Sequence, residues 1–140
     1  MGPMIVIHTL AHARAALAAA ADVGCPVTLI SAQGAAAYLG AAVFREIVAE
    51  AARETPGATV TAILDCGDDA SLALNALRHG LKVIRLRAGP AAMAAVADIA
   101  GQMGAFIDPA PEAPVLDLLD RPDAPAACRA WLLRGAAEPD

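Results

Sequence analysis

Residues 60–69, Val-Thr-Ala-Ile-Leu-Asp-Cys-Gly-Asp-Asp, place a carboxylate and a thiol directly after an apolar run typical of a β-strand. In α/β proteins, ligands and catalytic groups gather at the carboxyl ends of parallel strands. Asp65 therefore lies where functional chemistry is expected, and Cys66 beside it is a soft nucleophile or ligand type. Gly67 allows the backbone to turn sharply beside them. This turn is the first candidate for a functional site.

Strand and helix signals alternate along the chain and predict five β-α units. The predicted strands are 4–8, 26–32, 59–65, 82–87 and 105–108. The predicted helices between them are 10–22, 38–54, 69–79 and 90–103. Thr9 and either Asp68 or Asp69 are the expected N-caps of the first and third helices. The strands are continuous apolar runs, so we expect a parallel sheet that is covered on both faces.

The fold class that follows is α/β, with a five-stranded parallel sheet and flanking helices. Two arrangements fit this pattern: half of a TIM barrel, or a flavodoxin-like three-layer sandwich. Residues 1–108 are interpreted as the β/α repeat domain. Residues 109–140 begin with a Pro-rich, acidic stretch that contains an apolar patch at 115–119, and a helix follows at 124–134. We interpret this tail as a strap and a C-terminal helix that pack on the same domain.

Composition excludes several classes of protein. The chain has 140 residues, of which 58% are hydrophobic and 3% aromatic, so its core is aliphatic. Charges, Gly or Pro interrupt every apolar run before the roughly 20 residues that a membrane span needs. The net charge of −5 disfavours nucleic-acid binding. Three distant cysteines (Cys25, Cys66 and Cys128) and an N-terminus without a basic region predict a reduced, cytoplasmic protein.

Three segments carry a family resemblance, and the spacing between them agrees as well. They are Leu10 to Val27, the run Gly34-Ala35-Ala36-Ala37-Tyr38-Leu39-Gly40, and Leu64-Asp65-Cys66-Gly67-Asp68 with the later Ala76-Leu77-Arg78-His79-Gly80. Over about residues 9–108, the chain resembles the N-terminal part of class II fructose-bisphosphate aldolases, which are zinc-dependent (β/α)8 barrels. The resemblance implies that Asp65 matches the catalytic aspartate, which handles the substrate hydroxyl proton.

The departures from that family fall on its chemistry. Cys66 stands where the resemblance implies a zinc-ligand histidine, and Arg87 stands where it implies an aspartate on strand four. Val6 and Ala32 replace an expected asparagine and serine. The later ligands and phosphate-binding loops of the family are not expected in this chain. Since zinc catalysis needs several protein ligands around an open position, we expect no metal site and no cofactor.

Strand alternation, combined with the family alignment, places the remaining polar side chains at one rim of the sheet. His8, Asp65, Arg87 and Asp108 would lie at this carboxyl rim, with Arg85 one step deeper. The ligand-binding candidates are His8, Cys66, Gly67, Arg85, Arg87 and Asp108. In one interpretation, the arginines only neutralise buried carboxylates. In the other, they bind an anionic small molecule together with the helix that starts at Gly89-Pro90.

An open five-stranded piece of a barrel would expose an apolar inner face. That face contains Met4, Val6, Ile30, Ile63 and Val83. Because apolar patches of this size are rarely left in water, either the sheet flattens and helices move across it, or two chains pack these faces together. The tail at 115–119 and the Trp131 helix are further candidates to cover the face. Among these alternatives we favour a homodimer. The first functional hypothesis is a non-catalytic aldolase-like domain with a binding or assembly role. The alternative is a small enzyme or sensor that acts on a phosphorylated sugar-like ligand, with Asp65 as acid or base.

Overall fold

The structure is a computed structural model, and it describes residues 1–109 and 112–137. Its strands are β1 (Met4–Val6), β2 (Val27–Ile30), β3 (Val60–Asp65), β4 (Val83–Arg85), β5 (Phe106–Ile107) and β6 (Val115–Asp117). Its helices are α1 (Leu10–Val23), α2 (Ala41–Glu54), α3 (Ala70–Arg78), α4 (Pro90–Gln102) and α5 (Ala124–Ala137). A 3-10 turn covers Ala35–Ala37. Residues 110, 111 and 138–140 of the predicted tail lie outside the described residues.

The described strands form one six-stranded sheet in the order β5-β4-β3-β2-β1-β6. Strand β1 is parallel to both β2 and β6, and β4 is parallel to both β3 and β5. The prediction of an α/β fold with a helix-flanked parallel sheet is therefore confirmed, but the prediction of five strands is wrong. The first five strands lie in chain order, which differs from the 2-1-3-4-5 order of a flavodoxin-like sheet.

The sixth strand comes from the apolar patch that the sequence analysis assigned to the tail. Val115 and Asp117 of β6 are exposed, while Leu116 between them is buried. Its register with β1 pairs Met4 with Val115 and Val6 with Asp117. A three-residue strand that follows a proline has too few residues to show a pattern, and its partner lies more than a hundred positions away. Residues 115–117 are therefore a strand because they pair with β1, and the local sequence does not predict it.

The chain divides into two compact units. The first consists of Met1–Ile30, Ile47–Thr61 and the described residues from Ala113 onward. The second consists of Ser31–Glu46 and the described residues of Ala62–Glu112. The predicted domain boundary at residue 108 stays a prediction.

The first unit packs α5 against α1. Thr9 caps α1, since its Oγ1 accepts the N–H of His12 at 3.1 Å. The helix ends at Gly24, which has a left-handed φ of 78°. Small buried side chains such as Ala13 and Ala16 let other elements approach α1 closely, and Leu132 of α5 is fully buried. Both helix ends were predicted from local signals and are confirmed.

The second unit contains α3, α4 and the strands β4 and β5. Asp69 caps α3, because its Oδ1 accepts the N–H of Ser71 at 2.9 Å and that of Leu72 at 3.4 Å. Helix α4 starts with Pro90 after Gly89, which supplies no side-chain cap. Aliphatic side chains such as Leu77 and Ile84 are completely buried. The aliphatic core that the composition predicts is therefore present.

The five apolar residues expected on an open inner face are all buried in the single chain. Their exposed fractions are 5% for Met4, 9% for Val6, 2% for Ile30, 0% for Ile63 and 4% for Val83. The chain itself therefore covers this face, which was one of the alternatives drawn from the sequence, and the face no longer supports a dimer. No helix in the described part of the chain has the length and apolar character that a membrane span requires.

Candidate functional site

The Asp65 carboxylate lies at the carboxyl end of β3, and the residue is only 2% exposed. Its Oδ1 accepts two backbone N–H groups, those of Gly34 and Gly67, each at 2.9 Å. Its own backbone N–H donates to Ser31 Oγ at 2.9 Å. Asp65 therefore ties the loop at 31–34 to the turn at 66–67 through three short hydrogen bonds.

Both loops depend on glycine at the point where they meet this carboxylate. Gly34 has a φ of 68° and Gly67 a φ of 62°, in the left-handed region that side chains disfavour. A Cβ on Gly67 would lie 3.7 Å from Gly34 Cα, so the two backbones approach each other closely. The predicted sharp turn at Gly67 is present. Gly34 is a second part of the site that the sequence analysis did not assign to it.

Arg87 contacts the same carboxylate from outside. Its Nη2 lies 3.4 Å from each Asp65 oxygen, which is long for a hydrogen bond, so the contact is mainly electrostatic. The backbone N–H of Arg87 donates to Gly67 O at 2.8 Å. The arginine side chain is 43% exposed, whereas that of Asp65 is 3% exposed. Arg87 thus neutralises a buried carboxylate while part of its guanidinium faces solvent.

Arg85 and Asp108 form a second, more deeply buried ion pair. Arg85 Nη2 lies 2.6 Å and Nε 3.2 Å from Asp108 Oδ2. Their side chains are 11% and 0% exposed. The backbone N–H of Asp108 also donates to Ile84 O at 2.8 Å. The predicted rim cluster is thus resolved into two pairs, Arg87 with Asp65 and Arg85 with Asp108.

Cys66 is buried beside Asp65. Its Sγ lies 3.7 Å from Leu64 O, and the residue is 1% exposed. Burial, reinforced by the negative charges of Asp65 and Asp69, raises the pKa of the thiol to about 12. The thiolate is the form that attacks electrophiles and binds metals. At neutral pH Cys66 is therefore a protonated packing residue.

His8 belongs to a different cluster, in the first unit. Its Nε2 lies 2.7 Å from Asp117 Oδ1, and its backbone N–H donates to His12 Nδ1 at 3.0 Å. The two imidazole rings meet edge to face with centroids 5.7 Å apart. Asp117 ends β6 and also accepts the N–H of Leu119 at 2.9 Å.

The sequence analysis missed Asp117, although the rule that found Asp65 applies to it. Both residues are carboxylates at the end of a short apolar run, but β6 was not recognised as a strand. Its partner His8 was predicted at the carboxyl rim of the sheet, and the structure pairs it there with Asp117.

The first five strands are neighbours in the order in which they occur in the chain, helices connect most of them, and Asp65 lies at the carboxyl end of β3. These features define an α/β protein built from βα repeats. A family model described as fructose-bisphosphate aldolase class-II matches residues 2–86, more than half of the chain. The chain belongs to the class II fructose-bisphosphate aldolase family. No curated protein gives a significant match to it.

Zinc is the metal that this family implies, and the residues present do not fit it. The resemblance aligns Cys66 with a zinc ligand, yet its thiol is buried, protonated and in contact with a carbonyl oxygen. Within residues 1–109 and 112–137, no three His, Cys, Asp or Glu side chains are arranged to hold a metal ion. A zinc site needs at least three such ligands.

Proposed function

We propose that this chain is a binding or assembly domain of the aldolase family that does not perform zinc-dependent aldol chemistry. The observation that carries the proposal is the Asp65 carboxylate, whose Oδ1 accepts two backbone N–H groups and whose charge is paired with Arg87. A general base must present a lone pair to the proton that it removes. The Asp65 carboxylate holds two loops together through Oδ1 and faces Arg87 with both oxygens, which supports a structural role for the residue that the family resemblance assigns to proton transfer.

A combined zinc and activity assay tests this function. Purified protein is titrated with zinc by calorimetry, and cleavage of fructose 1,6-bisphosphate is followed with zinc present. We expect neither stoichiometric zinc binding nor zinc-dependent cleavage. The matched variant Cys66→Ser should behave in the same way, because the thiol is not a ligand. Stoichiometric zinc, together with cleavage that Asp65→Asn abolishes, would overturn the proposal.

The assembly role that we propose is a two-fold homodimer. Large apolar side chains are exposed along the end of α4 and in the edge strand β5: Ile99 at 37%, Met103 at 39% and Phe106 at 48%. Exposed edge strands and apolar surface both favour association. Sedimentation at micromolar concentration should give the mass of two chains, and Phe106→Lys should shift it toward one. A single-chain mass for the unmodified protein would refute the dimer.

A second candidate function has its own supporting observation. The Arg87 side chain is partly exposed to solvent. In the sequence Arg87 lies two positions before Gly89, the N-cap of α4, which has no side chain to accept a hydrogen bond. A guanidinium two positions before a helix start that lacks a side-chain cap favours a phosphorylated sugar-like ligand. Sugar phosphates should then raise the melting temperature, and Arg87→Ala should remove this effect. The exposed Arg78→Ala variant is the control, and an equal shift in both variants would refute the candidate.

The proposed compartment is the cytoplasm. This is supported by the three cysteines, which are all free thiols in the structure. Disulfides are the usual state of cysteine pairs in secreted domains of this size.

A further inference from the structure

A cavity of about 460 Å³ lies in the first unit, at the amino ends of β1 and β6. This is the opposite end of those strands from His8 and Asp117. Its walls are the N-terminal residues 1–4, residues 113–114, and Trp131, Arg134 and Gly135 of α5. Cavities of roughly 300–1,000 Å³ are typical of small-molecule sites. The proposed function does not use this cavity.

Two glycines fix the N-terminal wall. A Cβ on Gly2 would lie 2.2 Å from Pro26 O, so only glycine fits there without a shift of the backbone. A Cβ on Gly135 would lie 2.8 Å from Pro3 Cγ, so α5 also approaches this segment closely. Thr28 completes the attachment, since its Oγ1 donates to Gly2 O at 3.0 Å and its N–H donates to Pro3 O at 2.9 Å. The wall is therefore held in place by hydrogen bonds from Thr28 and by its close approach to Pro26 and to α5.

The α5 wall carries an oriented aromatic ring and a cation. Trp131 Nε1 donates to Met4 O at 3.1 Å, which fixes the indole. Arg134 lies one helical turn later, with its Cζ 5.9 Å from the centre of the Trp131 ring. A guanidinium held near an aromatic ring by cation–π attraction keeps N–H groups that can donate to a ligand.

The described walls of the cavity carry positive charge. The protein has a net charge of −5, yet within residues 1–109 and 112–137 the residues that line the cavity include Arg134 and no aspartate or glutamate. The remaining walls are Met, Pro, Ala and Gly, which provide apolar surface. The cavity therefore combines one planar cation with an aromatic face and an apolar lining.

We propose that this cavity binds a small carboxylate with a flat, apolar body. The carboxylate accepts hydrogen bonds from the Arg134 guanidinium, and the body packs against Trp131 and the methionine and proline side chains. Such a site needs one well-placed polar anchor and a largely apolar pocket. The structure supplies both on α5 and on the N-terminal wall.

The chain contains a single tryptophan, so the emission of Trp131 reports directly on this cavity. The probe is phenylacetate, compared with the neutral phenylacetamide, the cationic phenethylamine, and acetate, which has the charge but no ring. We expect saturable quenching or a spectral shift with phenylacetate, and roughly tenfold weaker binding of the amide. We expect no saturable signal with acetate or the amine.

Two arginine variants on the same helix complete the test. Arg134→Gln should remove the preference for carboxylate over amide. Arg129→Gln is the matched control, because Arg129 pairs with Asp22 and does not line the cavity. Circular dichroism checks that both variants fold. The proposal is overturned if phenylacetate gives no saturable signal, if acetate binds equally well, or if Arg134→Gln retains the carboxylate preference.

Discussion

Asp65 Oδ1 lies 2.9 Å from the backbone nitrogen of Gly34, a residue 31 positions earlier in the chain. The same oxygen accepts the N–H of Gly67, so one buried atom sets the relative position of two loops. In this family member, the contacts of Asp65 at the end of β3 connect the loop at 31–34 to the turn at 66–67. The first two predictions follow from that arrangement.

Replacement of Asp65 should destabilise the fold. Asp65→Ala leaves two N–H donors without their acceptor, and a buried unsatisfied donor costs about 1–3 kcal/mol. We expect a loss of about 3 kcal/mol in the free energy of unfolding, measured by urea denaturation. Asp65→Asn keeps an acceptor but loses the charge that faces Arg87, so it should lose about half as much. The exposed Asp68→Asn is the control, and a loss as large as that of Asp65→Ala would contradict this reasoning.

The two glycines beside Asp65 should not tolerate alanine. Gly34→Ala and Gly67→Ala each place a Cβ on a left-handed backbone, which costs about 1–2 kcal/mol. Gly57→Ala is the matched control, because its φ is not in that region and its Cβ would meet open space. Thermal unfolding should show lower melting temperatures for the first two variants only. Equal stability of all three variants would show that the two turns relax without strain.

Stability should fall as the pH drops below the ordinary histidine range. Burial, together with the charge of His8, lowers the pKa of His12 from its usual 6.5, against the opposing effect of Asp117. The unfolded chain therefore binds a proton before the folded chain does. The free energy of unfolding is greatest above pH 6.5 and declines below it, until His12 also protonates in the folded state.

The hydrogen bond to His12 predicts the same loss of stability at low pH as its lowered pKa does. His12 Nδ1 accepts the N–H of His8, and a protonated ring could no longer accept it. Denaturation curves at several pH values should therefore show a smaller decline for His12→Gln, whose side-chain oxygen accepts at any pH. His79→Gln is the control and should keep the full decline. If the free energy of unfolding of His12→Gln declined with pH as steeply as that of the unmodified protein, groups other than His12 would be responsible for the pH dependence.

A labelling experiment tests the state of the cysteines. Cys66 and Cys128 are buried, and burial raises their thiol pKa values to about 12 and about 11. Cys25 is partly exposed. At neutral pH a thiol reagent should modify native protein at Cys25 alone, and all three cysteines in urea. Cys25→Ser should abolish labelling of the native protein. Rapid modification of Cys66 in the native protein would contradict this prediction and make Cys66 a candidate nucleophile again.

The sequence was sufficient where structure follows from neighbouring residues. Thr9, Gly24 and Asp69 mark helix ends through local hydrogen bonds or a left-handed φ. Thr9 and Gly24 were recognised, and Asp69 was one of two predicted caps, Asp68 being the other. The end of β3 was also recognised, because six residues give a clear apolar run. These signals do not depend on the rest of the fold.

The sequence was insufficient where a residue's role depends on a distant partner. Asp117 and His8 are 109 positions apart, and no local pattern joins them. Likewise, alternation placed Arg85 and Arg87 on one face but did not assign each to its own carboxylate. Nor could alternation decide which of the alternatives covers the inner face, since coverage of a sheet is a property of the folded chain.

The pairing of β6 with β1 also has a consequence for the order of folding. Strand β1 can pair with β2 once residue 30 has been synthesised, but its other edge stays open until residue 117 is available. Contacts of such long sequence separation form slowly, because the intervening chain loses entropy when they close. During synthesis, one edge of β1 therefore stays unpaired until β6 has been made.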